Sequence, residues 1–293
     1  MLLQLLANGI ITGLCYSLVA LGFAMIYFTT KTFHFAHGSI YTLSVYLFFT
    51  FYNMANLPFP IAIFFSLSIT AVIGILVDEL IYVPLIKKKS SQSIQMLSSL
   101  GLYIVIVNFI AMIYGNETKV ISPGIQPTYQ IGSVILTRVQ ILTFIISLIL
   151  SATFMIFLKL SKLGIMIRGM RDDPELLSIM GIPPRKIRWF VFSVGSVFAG
   201  VASILNGLDV GIDPNIGMLA LLNGAVAVII GGVGIFEGTF LGAVLLGTLQ
   251  SLVIWKTSAR WQNTITFLLL IILLLFRPQG ILGKKQRVEE SLQ

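Results

Sequence analysis

The two histidines of the sequence, His34 and His37, carry its most specific chemistry and lie three residues apart between two apolar stretches. Zinc sites use at least three protein ligands. The sequence has no third histidine and no suitably placed cysteine, so we expect no metal site. Together with Phe35 and Gly38, the pair predicts either a tight turn at the cytoplasmic surface or a break in a helix inside the membrane that lines a solute route.

A glycine-rich run with one acidic residue is the second candidate. Its members are Gly231, Gly232, Gly234, Glu237, Gly238 and Gly242. A phosphate-binding loop is excluded because no Lys-Ser or Lys-Thr pair follows the glycines. The spacing of Gly234, Gly238 and Gly242 predicts close helix packing instead. Because an ionisable group between apolar stretches is costly, Glu237 is interpreted either as a gate or helix-cap residue or as an ordinary charge in a cytoplasmic loop.

Polar side chains also lie near the ends of the apolar stretches. One group is expected near the outer ends of the later stretches, where it contacts solute or a delivery protein: Asn206, Asp209, Asp213 and Asn223. Asp78 and Glu79 are adjacent, so on a helix they point in different directions and form no catalytic pair. We expect them to pair with the basic run 87–89 or with lipid headgroups. The sequence suggests no Ser-His-Asp or Cys-His arrangement, so an enzyme is not predicted.

The composition requires a membrane environment for most of the chain. Of 293 residues, 57% are hydrophobic and 10% are charged, and the mean hydropathy is +0.97. Soluble domains carry about 25% charged residues. This chain has too few polar groups to cover its apolar surface in water. The predicted fold class is therefore all-α, a polytopic transmembrane helical bundle.

Apolar stretches that approach the length of a membrane span, about 20 residues, recur along the chain. Nine stretches qualify: 3–28, 39–56, 59–82, 96–114, 139–158, 188–208, 218–234, 237–255 and 262–276. The last is short, and almost no loop separates the two before it. We therefore predict 8–9 spans, with one or two of the stretches re-entrant.

The net charge is +8, and the distribution of the basic residues indicates how the chain is oriented in the membrane. All but four of the 19 basic residues fall in the segments 29–38, 83–95, 159–188 and from 277 onward. The exceptions are Lys119, Arg138, Lys256 and Arg260. The positive-inside rule places the four basic segments in the cytoplasm, with the N-terminus outside and the C-terminus inside. Since topology accounts for the positive charge, no nucleic-acid binding is predicted.

The chain is predicted to form one transmembrane domain, residues 1–283, followed by a polar tail at 284–293. Its outer loop, 115–138, contains Pro123, Gly124, Pro127 and Gly132 together with β-prone pieces such as 131–136. This pattern predicts an irregular cap with a small hairpin. The longest cytoplasmic loop covers about 161–187.

The long cytoplasmic loop contains a short predicted helix at 174–180. Asp173 is a suitable N-cap, Pro174 fits the first helical position, and Glu175 lies favourably at the positive end of the helix dipole. Gly181 is placed to end the helix in a left-handed conformation, and two prolines follow it. The apolar side chains of this helix are Leu176, Leu177, Ile179 and Met180.

The short helix permits two interpretations. It either connects two spans and packs against its own bundle, or it docks into a groove on a separate cytoplasmic subunit. In the second case the polar rim would be Arg171, Asp172, Asp173 and Arg185. The spacing of the residues does not distinguish the two.

Residues 163–205, which include this helix, resemble the coupling-loop region of permeases from ATP-binding-cassette (ABC) importers of branched-chain amino acids, the LivH/LivM type. The family's R-x-x-x-x-D-P-E pattern and the residues after it match Arg168, Asp173, Pro174, Glu175, Gly181 and Ile182. Other segments are similar in the same order: HFAHGSIYTLSVYL (34–47), VDELIYVPLIKK (77–88), SSLGL (98–102), IIGGVGIFEGTFLGAVLLG (229–247) and FRPQGILGKK (276–285).

The resemblance implies a permease subunit in the bacterial inner membrane that carries branched-chain or related amino acids. Urea, amides or sugars are alternative substrates, and an autonomous secondary transporter or channel is a further alternative. The implied partners are two ABC ATPase subunits, a second homologous permease or a second copy of this chain, and an extracytoplasmic substrate-binding protein. No cofactor is expected in this chain, because it has no Walker-type loop and ATP and Mg²⁺ belong to the ATPase subunits.

The resemblance also implies two sets of functional residues. The set that couples the permease to the ATPases is Arg168, Arg171, Asp172, Asp173, Pro174, Glu175, Leu176, Leu177, Met180 and Gly181. The set that lines the translocation pathway is His34, Phe35, His37, Gly38, Asn223, Gly231, Gly232 and Glu237.

Overall fold

A computed structural model of the protein describes residues 1–121, 126–256 and 258–283. The predicted polar tail at 284–293, and Pro123 and Gly124 of the outer loop, lie outside the described residues. The helices are α1 (Leu2–Thr30), α2 (Ala36–Phe49), α3 (Phe59–Val77), α4 (Val83–Lys87), α5 (Gln92–Tyr114), α6 (Arg138–Leu160), α7 (Lys162–Asp172), α8 (Pro174–Ile179), α9 (Pro184–Val210), α10 (Ile216–Gly231), α11 (Phe236–Lys256) and α12 (Gln262–Phe276). Two strands, β1 (Thr128–Ile131) and β2 (Val134–Thr137), form a hairpin.

Each of the nine apolar stretches predicted from the sequence coincides with a helix of the structure. Six helices are long and apolar enough to cross a membrane: Leu2–Thr30, Phe59–Lys87, Gln92–Tyr114, Arg138–Leu160, Pro184–Val210 and Phe236–Trp255. Two shorter apolar helices are Ile216–Gly231 and Gln262–Phe276. The chain is therefore a polytopic helical membrane protein, as its composition predicts.

Helix α1 forms the centre of the bundle. In its most apolar window 83% of the residues are buried, compared with 22% in α5. It packs against α6, α9, α10 and α11. Helix α5 instead exposes large apolar side chains such as Phe109 and Met112. Its outer face can therefore face lipid, because the backbone groups along the middle of the helix are hydrogen-bonded within it.

Glycines allow α11 to approach its neighbours. A Cβ added to Gly238 or Gly242 would collide with the backbone of α10 around Gly231. The packing role predicted for these two glycines is therefore confirmed. The same prediction for Gly234 is wrong, because α11 begins only at Phe236 and Gly234 lies in the preceding turn, with φ +93° and open space around it.

The contact between α1 and α11 also depends on glycine, which gives a stability prediction. A Cβ added to Gly13 would lie 2.7 Å from the Cα of Val244. We expect Gly13→Ala to lower the free energy of unfolding by about 1–3 kcal/mol, the usual cost of overpacking. Gly101→Ala in α5 is the matched control, because its added methyl meets no atom within 4 Å. Thermal unfolding of the purified variants in detergent measures both, and equal stability of the two would contradict the packing role.

The hairpin predicted in the outer loop is confirmed, with Thr128 opposite Thr137 and Ile131 opposite Val134. Gln4 near the start of α1 holds the hairpin through both of its amide atoms. Its Nε2 donates to the Ile135 carbonyl at 2.8 Å, and its Oε1 accepts from the Ile135 amide at 2.8 Å. The hairpin therefore lies at the end of the bundle where α1 begins.

Candidate functional site

A cavity of about 520 Å³, named the outer cavity below, opens near that end of the bundle, between α1, α2, α6, α9, α10 and α12. Helix α1 contributes Ile11, Thr12, Cys15, Tyr16 and Val19 to its wall. Residues 11, 15 and 19 are four positions apart, as are residues 12 and 16, so all five lie on one face of the helix. At a rise of 1.5 Å per residue, residues 11 to 19 extend the cavity by about 12 Å along α1. The cavity thus reaches from the outer loops into the interior of the bundle.

The polar residues grouped from the sequence at the outer ends of the later spans meet in this cavity. Its wall includes Asn206, Asp209, Asp213 and Asn223. The loop that carries Asp213 is fixed by two sets of backbone and side-chain contacts. Ile212 exchanges two backbone hydrogen bonds with Lys119, and Asp213 Oδ1 accepts a hydrogen bond from the backbone N–H of Asn215 at 2.9 Å. Contact of these side chains with a solute stays a prediction.

A glutamine in the interior of α11 supports the base of the cavity. Gln250 Nε2 donates to Asn223 Oδ1 at 3.3 Å and to Thr266 Oγ1 at 2.6 Å. Gln262 Nε2 donates in turn to Gln250 Oε1 at 3.0 Å. Sequence reasoning missed this network, and also missed Tyr16 and Tyr41 in the wall. The available signal for the network was Gln250 itself, a polar side chain inside an apolar helix.

The two histidines lie in a non-helical break between α1 and α2. Lys31 ends α1 with φ +56°, and α2 begins at Ala36. Both imidazoles are fully buried, and the Nδ1 of His34 is 2.7 Å from the hydroxyl oxygen of Tyr82. Both side chains are therefore enclosed by the protein, while the position of the break relative to the membrane stays a prediction.

Neither histidine lines the outer cavity, and neither do Phe35 and Gly38. His37 lies one helical turn before Tyr41, which does line it. A Cβ added to Gly38 would lie 2.8 Å from the carbonyl oxygen of Gly217, so α2 and α10 touch at this level. The segment thus lies beside the wall of the cavity, and its role in the pathway stays a prediction.

Gly231, Gly232 and Glu237 lie at the turn between α10 and α11, away from the outer cavity. Glu237 is in the first turn of α11, where a negative charge is favoured by the helix dipole. Its carboxylate is half exposed and lies 3.3 Å from the ammonium nitrogen of Lys159. Of the predicted pathway residues, the structure places only Asn223 in the wall of the outer cavity.

The short helix α8 has the capping predicted from the sequence. Asp173 Oδ1 accepts hydrogen bonds from the backbone amides of Glu175 and Leu176 at 2.9 and 3.0 Å. Pro174 occupies the first helical position, and Gly181 has φ +79°. The helix forms because these caps satisfy backbone groups that so short a segment cannot satisfy by itself.

Helix α8 exposes most of its apolar surface. Leu177 is buried, with 6% of its surface exposed, and contacts α7 at Gly169. The exposed fractions of Leu176, Ile179 and Met180 are 54%, 82% and 69%. One leucine therefore anchors α8 to its own chain, while three apolar side chains remain uncovered by the described residues. Packing against its own bundle therefore holds for the Leu177 face of α8, and docking of the exposed face on a separate subunit stays a prediction.

The arginines before α8 anchor α7 to the bundle. Arg171 Nη1 donates to the Gly234 carbonyl at 2.8 Å, and Arg168 donates to the carbonyl of Leu158 at the end of α6. Arg171 also donates to Asp172 Oδ1 at 2.7 Å, and this interaction lowers the pKa of the Asp172 carboxyl. Arg171 and Arg168 are thus engaged within the chain and join α7 to the end of α6 and to the turn before α11.

The acidic pair after α3 binds arginines of α9, which corrects the expected pairing with the basic run 87–89 or with headgroups. Asp78 is fully buried and accepts two hydrogen bonds from Arg188, one of them to Oδ2 at 3.1 Å. Glu79 accepts from Arg185 at 2.7 and 2.8 Å and from the Trp189 indole. Only the tertiary fold brings together residues that are 106 to 110 positions apart, so their spacing in the sequence gave no signal.

Comparison with known proteins gives one family match. Residues 5–274 match the family described as branched-chain amino acid transport system / permease component. The high-affinity branched-chain amino acid transport system permease protein BraD of Pseudomonas aeruginosa is 29% identical, over 97% of this chain and 96% of that protein. The corresponding LivH of Escherichia coli K12 is 27% identical over the same shares.

A solved structure supports the fold. PsaBC from Streptococcus pneumoniae in complex with Fab is similar with a TM-score of 0.51, over 97% of this chain and 93% of that chain. The sequence identity is 14%. At this identity the likeness concerns the arrangement of helices only.

Proposed function

The chain belongs to the family of branched-chain amino acid transport system permease components, and from this premise we propose that it carries branched-chain or related aliphatic amino acids across the bacterial inner membrane as the spanning subunit of an ABC importer. Its sequence contains no Walker-type loop. The energy for transport therefore comes from ATP hydrolysed on two separate subunits.

The observation that carries this proposal is the uncovered apolar face of α8. Leu176, Ile179 and Met180 project from a capped helix outside the long apolar helices, and such side chains are stabilised by a groove on a partner. Because Arg168 and Arg171 bind α7 to the bundle, a push on α8 reaches α6 and α11. Closure of the ATPases would thereby shift the permease between outward and inward access.

The proposed topology has 8–9 spans, with the N-terminus outside and the cytoplasmic loop on the opposite side. The positive-inside bias of the loops supports it. The hairpin and the opening of the cavity lie at the end where α1 begins. An extracytoplasmic binding protein would deliver the amino acid there. A second homologous permease, or a second copy of this chain, would complete the membrane part of the importer.

An amide or urea permease of the same family is the second candidate. The cavity wall supports it through its neutral amide groups: Asn206, Asn215, Asn223, Gln262 and Asn263. Amide groups can donate to and accept from urea or a carboxamide without any charged partner. Comparing uptake of urea with uptake of aliphatic amino acids distinguishes the two substrates.

We expect the assembled importer, reconstituted in proteoliposomes with its ATPases and binding protein, to accumulate labelled leucine, isoleucine and valine only when ATP is present. Omission of ATP is expected to lower uptake to the level of empty vesicles, because the sequence contains no Walker-type loop and the ATPases would supply the energy. The measurement is the initial rate of uptake with and without ATP. Uptake by the chain alone, in ATP-free vesicles, would support an autonomous transporter or channel instead.

A further inference from the structure

We propose that Asp209 and Asp213 form the part of the outer cavity that binds the ammonium group of the transported amino acid. This inference rests on the proposed function and assigns the chemistry by which the permease itself recognises its substrate class. It concerns two residues of the cavity wall, one at the end of α9 and one in the loop that follows.

The charged side chains that line the cavity in the described part of the chain are all negative. Among the described residues that line it, Asp209 and Asp213 are charged, and no lysine, arginine or histidine is present. Low-dielectric walls around charges of one sign concentrate the field and raise the local concentration of the opposite charge. The cavity therefore attracts a group that carries positive charge and repels a purely anionic solute.

Both carboxylates are available to a ligand. The four ion pairs within the described ranges use other acids: Asp78, Glu79, Asp172 and Glu237. One carboxylate oxygen of Asp213 accepts a hydrogen bond from the backbone N–H of Asn215. This contact fixes the orientation of the carboxylate and leaves its second oxygen unused. Lys119 pairs with Ile212 through the backbone and forms none of the ion pairs that the structure describes.

The position of Asp209 strengthens its attraction for a cation. It lies in the last turn of α9, which ends at Val210. The unpaired carbonyl groups of a helix C-terminus carry partial negative charge, and this charge adds to that of the carboxylate. An ammonium group in this part of the cavity would thus lie in the field of two carboxylates and of the end of a helix dipole.

The remaining wall suits the rest of an aliphatic amino acid. Its apolar part includes Val19, Leu205, Leu219 and Ala220, which can contact a branched side chain. Tyr41 and Asn223 are buried in the base of the cavity, and their hydroxyl and amide groups can donate to a carboxylate. Gln250 occupies the Oδ1 of Asn223, so its Nδ2 is the group able to donate.

This division of roles fits a transport site. The ammonium group is held by charge, whereas the carboxylate is held by neutral donors, which form weaker hydrogen bonds than arginine would. A cavity of about 520 Å³ falls in the range of small-molecule sites and is large enough for one amino acid with water. The substrate class assigned to the site is therefore a primary ammonium compound with a compact aliphatic body.

The test compares importers that contain the wild-type chain, D209N/D213N or E117Q, all in proteoliposomes with ATPases and binding protein. Two quantities are measured: initial uptake of a mixture of labelled leucine, isoleucine and valine, and the ATPase rate stimulated by the binding protein. Asparagine keeps the shape of the aspartates and removes their charge. E117Q is the matched control, since Glu117 lies exposed on the outer loop and does not line the cavity.

We expect D209N/D213N to lower uptake at least tenfold while the stimulated ATPase rate stays within twofold of the wild type. E117Q is expected to keep both rates. Uptake by D209N/D213N within twofold of the wild type overturns the inference and leaves the proposed function intact. A parallel loss of ATPase stimulation also overturns it, because the carboxylates would then hold the binding protein. A wild-type importer that hydrolyses ATP and carries none of the three amino acids overturns the proposed function itself.

Discussion

Replacing Leu176 and Met180 with glutamate is expected to abolish retention of the ATPase subunits by the purified permease. These side chains are four residues apart, so they lie on one face of α8, and both are more than half exposed. A carboxylate placed there would have to be desolvated in an apolar groove, which costs several kcal/mol for an unpaired charge. Co-purification of the ATPases with affinity-tagged permease measures the effect, and we expect a loss of at least tenfold.

Ser178→Glu provides the matched control for L176E/M180E. Ser178 lies in the same helix and is exposed, but it is about 200° around the axis from Leu176. Its charge would remain in water, so the ATPases should stay bound. Insertion of L176E/M180E should also be normal, because Leu177 still anchors α8 to α7. Full retention of the ATPases by L176E/M180E would remove the basis for placing the docking surface on α8.

The second large effect is expected at the buried pair of Asp78 and Arg188. Asp78 is fully buried, and the Arg188 side chain is 11% exposed. Removing the guanidinium with Arg188→Met leaves the carboxylate without its partner, and breaking a buried pair in this way costs about 3–5 kcal/mol. Thermal unfolding in detergent, followed by the loss of helical circular dichroism, measures the effect.

Two further variants test whether burial of the Asp78–Arg188 pair causes the loss of stability expected for R188M. Arg185→Met removes a partner from Glu79, but the Arg185 side chain is 63% exposed, so the loss should be below about 1 kcal/mol. Replacing both members of the buried pair in D78L/R188M should recover most of the stability, since no uncompensated charge remains. Equal losses in R188M and R185M would contradict the importance of the buried pair.

The coupling region shows how far local sequence can be interpreted. Asp173, Pro174 and Gly181 fixed both ends of α8 because capping depends on residues within one or two turns. The spacing could not show which apolar residues are covered. Leu177 is buried because Gly169 of the neighbouring helix leaves room for it, and that contact requires α7 and α8 to be folded against each other.

Less of the candidate substrate site than of the coupling region could be predicted from the sequence. Asn206, Asp209, Asp213 and Asn223 could be grouped because polar residues at the ends of apolar stretches are conspicuous. Tyr16 and Tyr41 could not be added to the group, because they come from helices far apart in the chain and each is unremarkable in its own helix. The buried histidines show the opposite case, since they were conspicuous in the sequence and lie outside the cavity wall.

The sequence by itself determined the membrane environment, the helical elements, the caps of α8 and the family, because hydropathy, capping and ordered motifs are properties of short segments. Only the tertiary structure decided that α1 is the central helix, that Asp78 and Glu79 bind Arg188 and Arg185, and that six elements share one cavity. These facts depend on how helices pack, and packing in lipid is set by shape and by pairing of polar groups between distant segments.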